Sequence, residues 1–305
     1  MAAKAKKATK AKKAIKVTKE DTAGTLIIIG GHEKDGDKKI LQEVADRVGS
    51  GKLVVCTVAT IEPKESFAEY RKIFRDLGVK RIEQLDIRIR EEGYAEEVVS
   101  VLDGATVIFF TGGDQLKITS QLGDSHVYQR IQEIFKKGGT IAGTSAGASV
   151  MSETMLISGN GEESHKLDSV LGMAPGLALI HDVVIDQHFA ERGRLGRLLA
   201  AVTQNPRTLG LGIDENTAVI VTAGEWIEVL GEGATYILDG SKISYSNLAE
   251  GKEEMGKTLS VFDVKLHMLS DGNRFDLRNR RPEIPPKPEK QVEEKTGEKI
   301  EVGAG

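Results

Sequence analysis

The chain has 305 residues, 39% of them hydrophobic, which is enough to bury a large core in one domain with appendages. Its net charge of −4 conceals an asymmetry: residues 1–19 hold eight lysines and no acid, leaving 34 basic against 46 acidic residues elsewhere, a net of −12. An acidic body argues against a nucleic-acid partner, and no stretch approaches the roughly 20 apolar residues of a membrane span. The lysine-rich start lacks the apolar run of a secretory signal, so the expectation is a soluble cytoplasmic protein without a membrane partner.

Taken in chain order, residues 1–20 form a Lys/Ala-rich arm with no apolar face and strong self-repulsion, which predicts disorder; an electrostatic tether to an anionic partner is the other reading. The runs "TLIIIGG", "KLVVCTVAT", "RIEQLDI", "TVIFFTGG" and "GTIAGTSAG" are short, rich in Val, Ile and Phe, and bounded by Gly or polar turns, so they read as buried strands. The only cysteine, Cys56, sits inside the second run and reads as a small core residue. Helical spacing lies between the runs: Phe67, Tyr70, Phe74 and Leu77 in "KESFAEYRKIFRDLG", and Val127, Ile131, Ile134 and Phe135 in "SHVYQRIQEIFKKGG". Alternating strands and helices predict an α/β fold, a mostly parallel sheet with helices on both faces. After about residue 206 tight turns separate several strands, which predicts additional antiparallel strands extending that sheet or packing beside it. The expected division is one α/β catalytic domain over 21–275 and an extended tail over 276–305, where proline and charge accumulate.

The stretch Gly143-Thr144-Ser145-Ala146-Gly147 follows an apolar strand and precedes "AGASVMSETML", a candidate helix. A G-x-S-x-G in that setting predicts a nucleophile elbow, in which Ser145 sits on a tight strand-to-helix turn and small neighbours let the backbone pass beneath it. A phosphate loop fits less well, since neither G-K-[ST] nor G-x-G-x-x-G is present, and a purely structural small-residue contact stays open. The candidate base is His188, which ends an apolar strand beside Asp186 and Gln187, where open α/β sheets put their ligands. The carboxylate that would fix its tautomer is Glu215, with Asp214 as the alternative, at the edge of the strand in "GLGIDENTAVIV". Arg192, Arg194 and Arg197 follow His188 and point to an anionic substrate group or to a solvated basic face. "TGGDQ" ends another strand, so the Gly113 and Ala146 N–H groups are candidates for an oxyanion hole, with Asp114 and Gln115 reaching substrate. "GGHEKDG" lacks metal-ligand spacing, so neither metal nor cofactor is expected.

The ordered set "IIGGHEKDG", "TGGDQ", "GTSAGAS", "DQHFAERGRLGRL" and "GIDENTA" resembles the cyanophycinase family of serine exopeptidases, relatives of the aspartyl dipeptidase (peptidase E) group, over about residues 24–270. The resemblance implies a fold like that of class I glutamine amidotransferases with serine in place of cysteine, and typically a homodimer. It also implies hydrolysis of cyanophycin, a polyaspartate carrying arginine on β-linked amide bonds, to β-aspartyl-arginine. Carried over by motif, Ser145 would be the nucleophile, His188 the base and Glu215 its acid, while Gln115, Asp186, Gln187, Arg194 and Arg197 would line the substrate site. On that reading the arginines hold a substrate carboxylate and Asp186 a guanidinium; the two tails depart from the family pattern. The alternatives are a general aspartyl dipeptidase and a non-catalytic module for an anionic ligand.

Overall fold

A computed structural model describes residues 24–158, 171–248 and 258–284. The first half alternates as expected: β1 (Thr25–Ile29), α1 (Lys39–Asp46), β2 (Lys52–Cys56), α2 (Pro63–Asp76), β3 (Ile82–Leu85), α3 (Glu96–Val99), β4 (Ala105–Phe110), α4 (Gln115–Leu122), α5 (His126–Lys136), β5 (Thr140–Thr144) and α6 (Ala146–Ser149). The second half adds β6 (Thr154–Leu156), β7 (Met173–Pro175), β8 (Val183–Gln187), α7 (Leu195–Gln204), β9 (Leu209–Ile213), β10 (Thr217–Thr222), β11 (Trp226–Gly231) and β12 (Thr235–Asp239). It closes with β13 (Tyr245–Ser246), β14 (Val261–Phe262), β15 (Lys265–Leu269), β16 (Arg274–Asp276) and β17 (Arg281–Pro282).

Among the described residues the main sheet runs β17-β16-β11-β10-β1-β5-β4-β2-β3. Its five strands from β1 to β3 are parallel, and β10, β11, β16 and β17 continue it antiparallel from β1. A second sheet, β15-β12-β9-β8, has β8 and β9 parallel and the rest antiparallel. Both sequence expectations for the later strands therefore hold at once: some extend the sheet and some stand beside it.

Side chains of successive strand residues point to opposite faces, and the central strands use both faces. Ile27, Ile29, Leu53, Val55, Val107 and Phe109 pack with Leu41 and Val44 of α1 and Tyr70 and Phe74 of α2. Leu26, Ile28, Val54, Cys56, Ile108 and Phe110 pack on the other side with Ile118 of α4, Val127 and Ile131 of α5, and with Ile185, Leu211 and Ile213 of the second sheet. Strands buried on both sides read as continuous apolar runs, which is why their sequences show no polar alternation. Cys56 lies in this core, where burial pushes its thiol up to about 12.

Two expectations change. The helix predicted through "AGASVMSETML" is a single turn: Ser149 lies in α6, whereas Ser152 bridges Ile180 and Thr154 already belongs to β6. The sheet also continues past residue 275, since Asp276 closes β16 and β17 pairs with it. The Lys/Ala arm and residues 285–305 of the expected tail lie outside the described residues.

Candidate active site

The carbonyls that end β1 organise the site. Ile29 O accepts from Ser145 N at 3.1 Å, Gly30 O from His188 N at 2.9 Å, and Gly31 O from Asn216 N at 2.9 Å. Three consecutive residues thus hold the elbow after β5, the end of β8 and the turn after β9, segments far apart in sequence.

Ser145 adopts φ 53°, ψ −111°, a conformation that costs a non-glycine residue about 1–3 kcal/mol and is held by its surroundings. Besides the bond to Ile29, its carbonyl accepts from Ala148 N at 3.0 Å and Ser149 N at 3.1 Å. The elbow needs its glycines for close approach: a Cβ on Gly143 would stand 2.4 Å from Gly147 O, and one on Gly147 would stand 2.4 Å from Phe110 O. Gly112, at the end of β4, packs beside the Ser145 side chain.

His188 stands just beyond β8 with φ 47°, so its ring turns back over the main sheet. Its Nε2 lies 2.9 Å from Ser145 Oγ and its Nδ1 lies 2.6 Å from Glu215 Oε1. The ring is buried, and burial lowers its pKa below the ordinary imidazole value; the bond to Glu215 opposes that shift and the Arg192 charge adds to it. A neutral imidazole that donates from Nδ1 to Glu215 keeps Nε2 free to accept the serine proton.

Glu215, not Asp214, meets the histidine. Asp214 turns inward, where its two oxygens accept from Ala190 N at 2.9 Å and Ala234 N at 3.1 Å. His32, left unassigned by the sequence, lies 3.4 Å from Glu215 Oε1 through Nε2 and 3.1 Å from Asp35 Oδ2 through Nδ1. Its signal was the "GGHEKDG" segment immediately after the β1 carbonyls. His32, His188 and Glu215 bring one donor atom each within 4.8 Å of one another. The 2.6 Å His188–Glu215 contact is a hydrogen bond, and the other His188 nitrogen faces Ser145.

Four of the residues expected to line the substrate site are buried and bond one another. Asp186 is fully buried; it accepts from Arg194 Nη1 at 3.1 Å and Arg197 Nε at 2.8 Å, and Arg197 Nη2 also bonds it. Arg194 further donates to the Gln187 carbonyl and, at 3.0 Å, to Gln187 Oε1. Burial brings the Arg194 guanidinium down to about 10, against the pull of Asp186. Charge recognition here is internal: a 0% exposed carboxylate gripped by two arginines offers nothing to a guanidinium in the pocket. Gln115 is half-buried and its amide donates to Leu156 O at 2.9 Å. Neither the Gly113 nor the Ala146 N–H donates to a neighbouring turn or loop carbonyl among the described residues.

Ser145 and His188 open on a cavity of about 530 Å³ between β1, α2 and the end of β4. Its wall includes Glu33, which is 3% exposed and accepts from Tyr70 Oη at 2.6 Å and Thr144 Oγ1 at 2.6 Å. Burial, with Glu33 alongside, pushes the Tyr70 phenol well above its ordinary value. A second hollow of similar size, at α4 and β7, contains none of these groups.

An elbow serine facing an oriented imidazole on an α/β sheet defines a serine-type hydrolase. The chain belongs to peptidase family S51, whose sequence profile matches residues 26–229, and it is a serine-type peptidase. It is 38% identical over 267 residues to the cyanophycinase of Nostoc sp., covering 86% of this chain and 89% of that one. It is 36% identical over 263 residues to the cyanophycinase of Geminocystis herdmanii, covering 85% and 96%. The fold is similar to a crystal structure of a peptidase from an acI-B1 Actinobacterium, with a TM-score of 0.61, 21% identity, and 84% and 98% of the two chains covered. It is also similar to a putative peptidase E protein from Listeria monocytogenes, with a TM-score of 0.51, 19% identity, and 69% and 99% covered. No described helix is long and apolar enough to cross a membrane.

Proposed function

We propose that the chain is a serine exopeptidase that hydrolyses cyanophycin to β-aspartyl-arginine. The observation that carries the chemistry is the Ser145–His188–Glu215 relay at 2.9 and 2.6 Å, and relatives named cyanophycinase support the substrate. Ser145 Oγ attacks the scissile carbonyl as His188 Nε2 takes its proton, while Glu215 holds the Nδ1–H and stabilises the imidazolium. The Gly113 and Ala146 N–H groups receive the developing oxyanion. Collapse of the tetrahedral intermediate breaks the C–N bond, and His188 returns the proton to the leaving amine. Water, deprotonated by His188, then attacks the acyl-enzyme and releases the acid product and free Ser145.

A cytoplasmic homodimer is part of this reading. The family resemblance supports the dimer, and the single buried thiol of Cys56 fits a reducing compartment.

The test is incubation of the purified protein with cyanophycin and mass analysis of the products. β-Aspartyl-arginine is the expected product, and Ser145→Ala should lower its release by about four orders of magnitude or more with folding intact. Near-normal release by that variant removes the serine mechanism. Cleavage of simple aspartyl dipeptides but not of polymer would favour the aspartyl dipeptidase reading.

A further inference from the structure

His32 stands beside the relay, and the mechanism gives it no role. It follows the end of β1 with φ 57°, in the left-handed region that a non-glycine residue seldom occupies. Backbone bonds fix that turn. Asp35 N donates to His32 O at 3.1 Å, while Gly30 N donates to Thr217 O and Asn216 N to Gly31 O, both at 2.9 Å. The residues just before His32 are thus tied to those just after Glu215.

The side chain reaches the relay from this turn. Its Nε2 lies 3.4 Å from Glu215 Oε1, the same oxygen that His188 Nδ1 bonds, and its Nδ1 lies 3.1 Å from Asp35 Oδ2. Its ring stands edge-on to the His188 ring, with centroids 5.8 Å apart and planes at 83°. Among the described residues only these two histidines form ion pairs with the Glu215 carboxylate. An exposed histidine paired with a nearby aspartate ordinarily contributes little. That accounts for the contact with Asp35 and leaves the approach to Glu215 unexplained. Glu215 is half-buried on a long side chain, and a carboxylate that sets the tautomer of its histidine has to be held in place.

We propose that His32 is a positioning residue for the relay, its Nε2–H donating to Glu215 Oε1 and holding the carboxylate against His188 Nδ1. The inference rests on the serine mechanism and not on the identity of the substrate. Both His32 nitrogens donate when the ring is doubly protonated; in the neutral ring the proton serves one carboxylate or the other. A 3.4 Å contact is long, and catalytic hydrogen bonds are often long before substrate binds and tighten in the Michaelis complex.

The experiment compares two substitutions. A glutamine amide reaches the place of the imidazole Nε2 and an asparagine amide that of Nδ1, so His32→Gln keeps the donor to Glu215 and His32→Asn keeps the one to Asp35. With cyanophycin, His32→Asn should lower kcat about tenfold or more with KM little changed, the scale of a small misplacement of a catalytic group, and His32→Gln should restore most of it. Backbone strain cannot mimic this order, because asparagine tolerates positive φ better than glutamine does. A second readout needs no substrate. The His188 Nδ1–H proton bonded to Glu215 gives a downfield NMR resonance, which His32→Asn should shift or broaden and His32→Gln should preserve. Equal kinetics in the two variants, the reverse order, a rise in KM alone, or a resonance indifferent to both substitutions overturns the role. If the resonance responds as expected but the wild type cleaves no cyanophycin, the substrate reading fails while the role of His32 stands.

Discussion

Ser145 Oγ lies 2.9 Å from His188 Nε2, although the two residues leave different sheets, one after β5 of the main sheet and the other after β8 of the smaller one. The relay therefore exists only where the two sheets meet, and the end of β1 joins them. Ile29 fixes the serine segment and Gly30 the histidine segment through their carbonyls. Catalytic geometry here depends on sheet packing as much as on the elbow.

Gly31 tests that dependence. It has φ +118°, and a Cβ there would stand 2.3 Å from His188 Cε1. Gly31→Ala should push the imidazole off Ser145 and lower kcat about a hundredfold or more, the scale on which small misplacements act. Steady-state kinetics beside a circular dichroism spectrum checks this. A folded variant with wild-type kcat would mean that the ring is positioned by something other than β1.

Glu215 and Asp214 are adjacent and should respond in opposite ways. Glu215→Gln removes the carboxylate charge that fixes the His188 tautomer and stabilises the imidazolium, and should lower kcat about 10³- to 10⁴-fold with little change in Tm. Asp214→Asn leaves an amide facing a backbone N–H and should destabilise the fold by about 1–3 kcal/mol while retaining most of kcat. Kinetics and thermal melts on both variants decide the assignment; the reverse pattern would make Asp214 the acid of the relay.

The pH profile follows from His188. Its folded-state pKa is lowered by burial, so the base stays neutral to lower pH than an ordinary imidazole. The acid limb of kcat/KM should therefore fall below about 6.5, the unperturbed value. The sign for stability follows: below that value the unfolded chain binds a proton that folded His188 refuses. This contribution is complete above the ordinary value and is lost as pH falls from there through the folded pKa. An acid limb at or above the ordinary imidazole value would contradict the burial argument.

The Asp186–Arg194–Arg197 cluster should behave as structure. Arg197→Met leaves part of a buried carboxylate uncompensated and should destabilise the fold by about 3–5 kcal/mol. Denaturant melts measure this directly. A variant of wild-type stability with a raised KM would instead return Arg197 to the substrate-binding role that the sequence suggested.

Much of this was legible in the chain because the signals were local. The five apolar runs became β1 to β5, and the spacings of "KESFAEYRKIFRDLG" and "SHVYQRIQEIFKKGG" became α2 and α5. The G-x-S-x-G stretch named its own turn, since the glycines on either side of Ser145 are needed for backbone contacts within a few ångströms. The second sheet was less legible, because its strands read like extensions of the first and only pairing separates β9 and β12 from β10 and β11. The role of "GGHEKDG" was hidden for a similar reason: carbonyl acceptors have no side-chain signature, and Glu33 meets Thr144 across 111 residues of chain.

The sequence by itself determined the strand–helix alternation, the elbow at Ser145 and the small set of residues from which the relay is drawn, because periodicity, glycine placement and residue chemistry act over a few residues. Only the tertiary structure decided that Glu215 rather than Asp214 reaches His188, and that Asp186, Arg194 and Arg197 face one another. It also decided that Glu33 lies in the wall of the cavity beside Ser145 and bonds Tyr70 and Thr144. Neighbouring residues in a turn point in different directions, and a charge serves a ligand or a neighbour according to what packs against it. Those are properties of distances between segments that the order of residues does not contain.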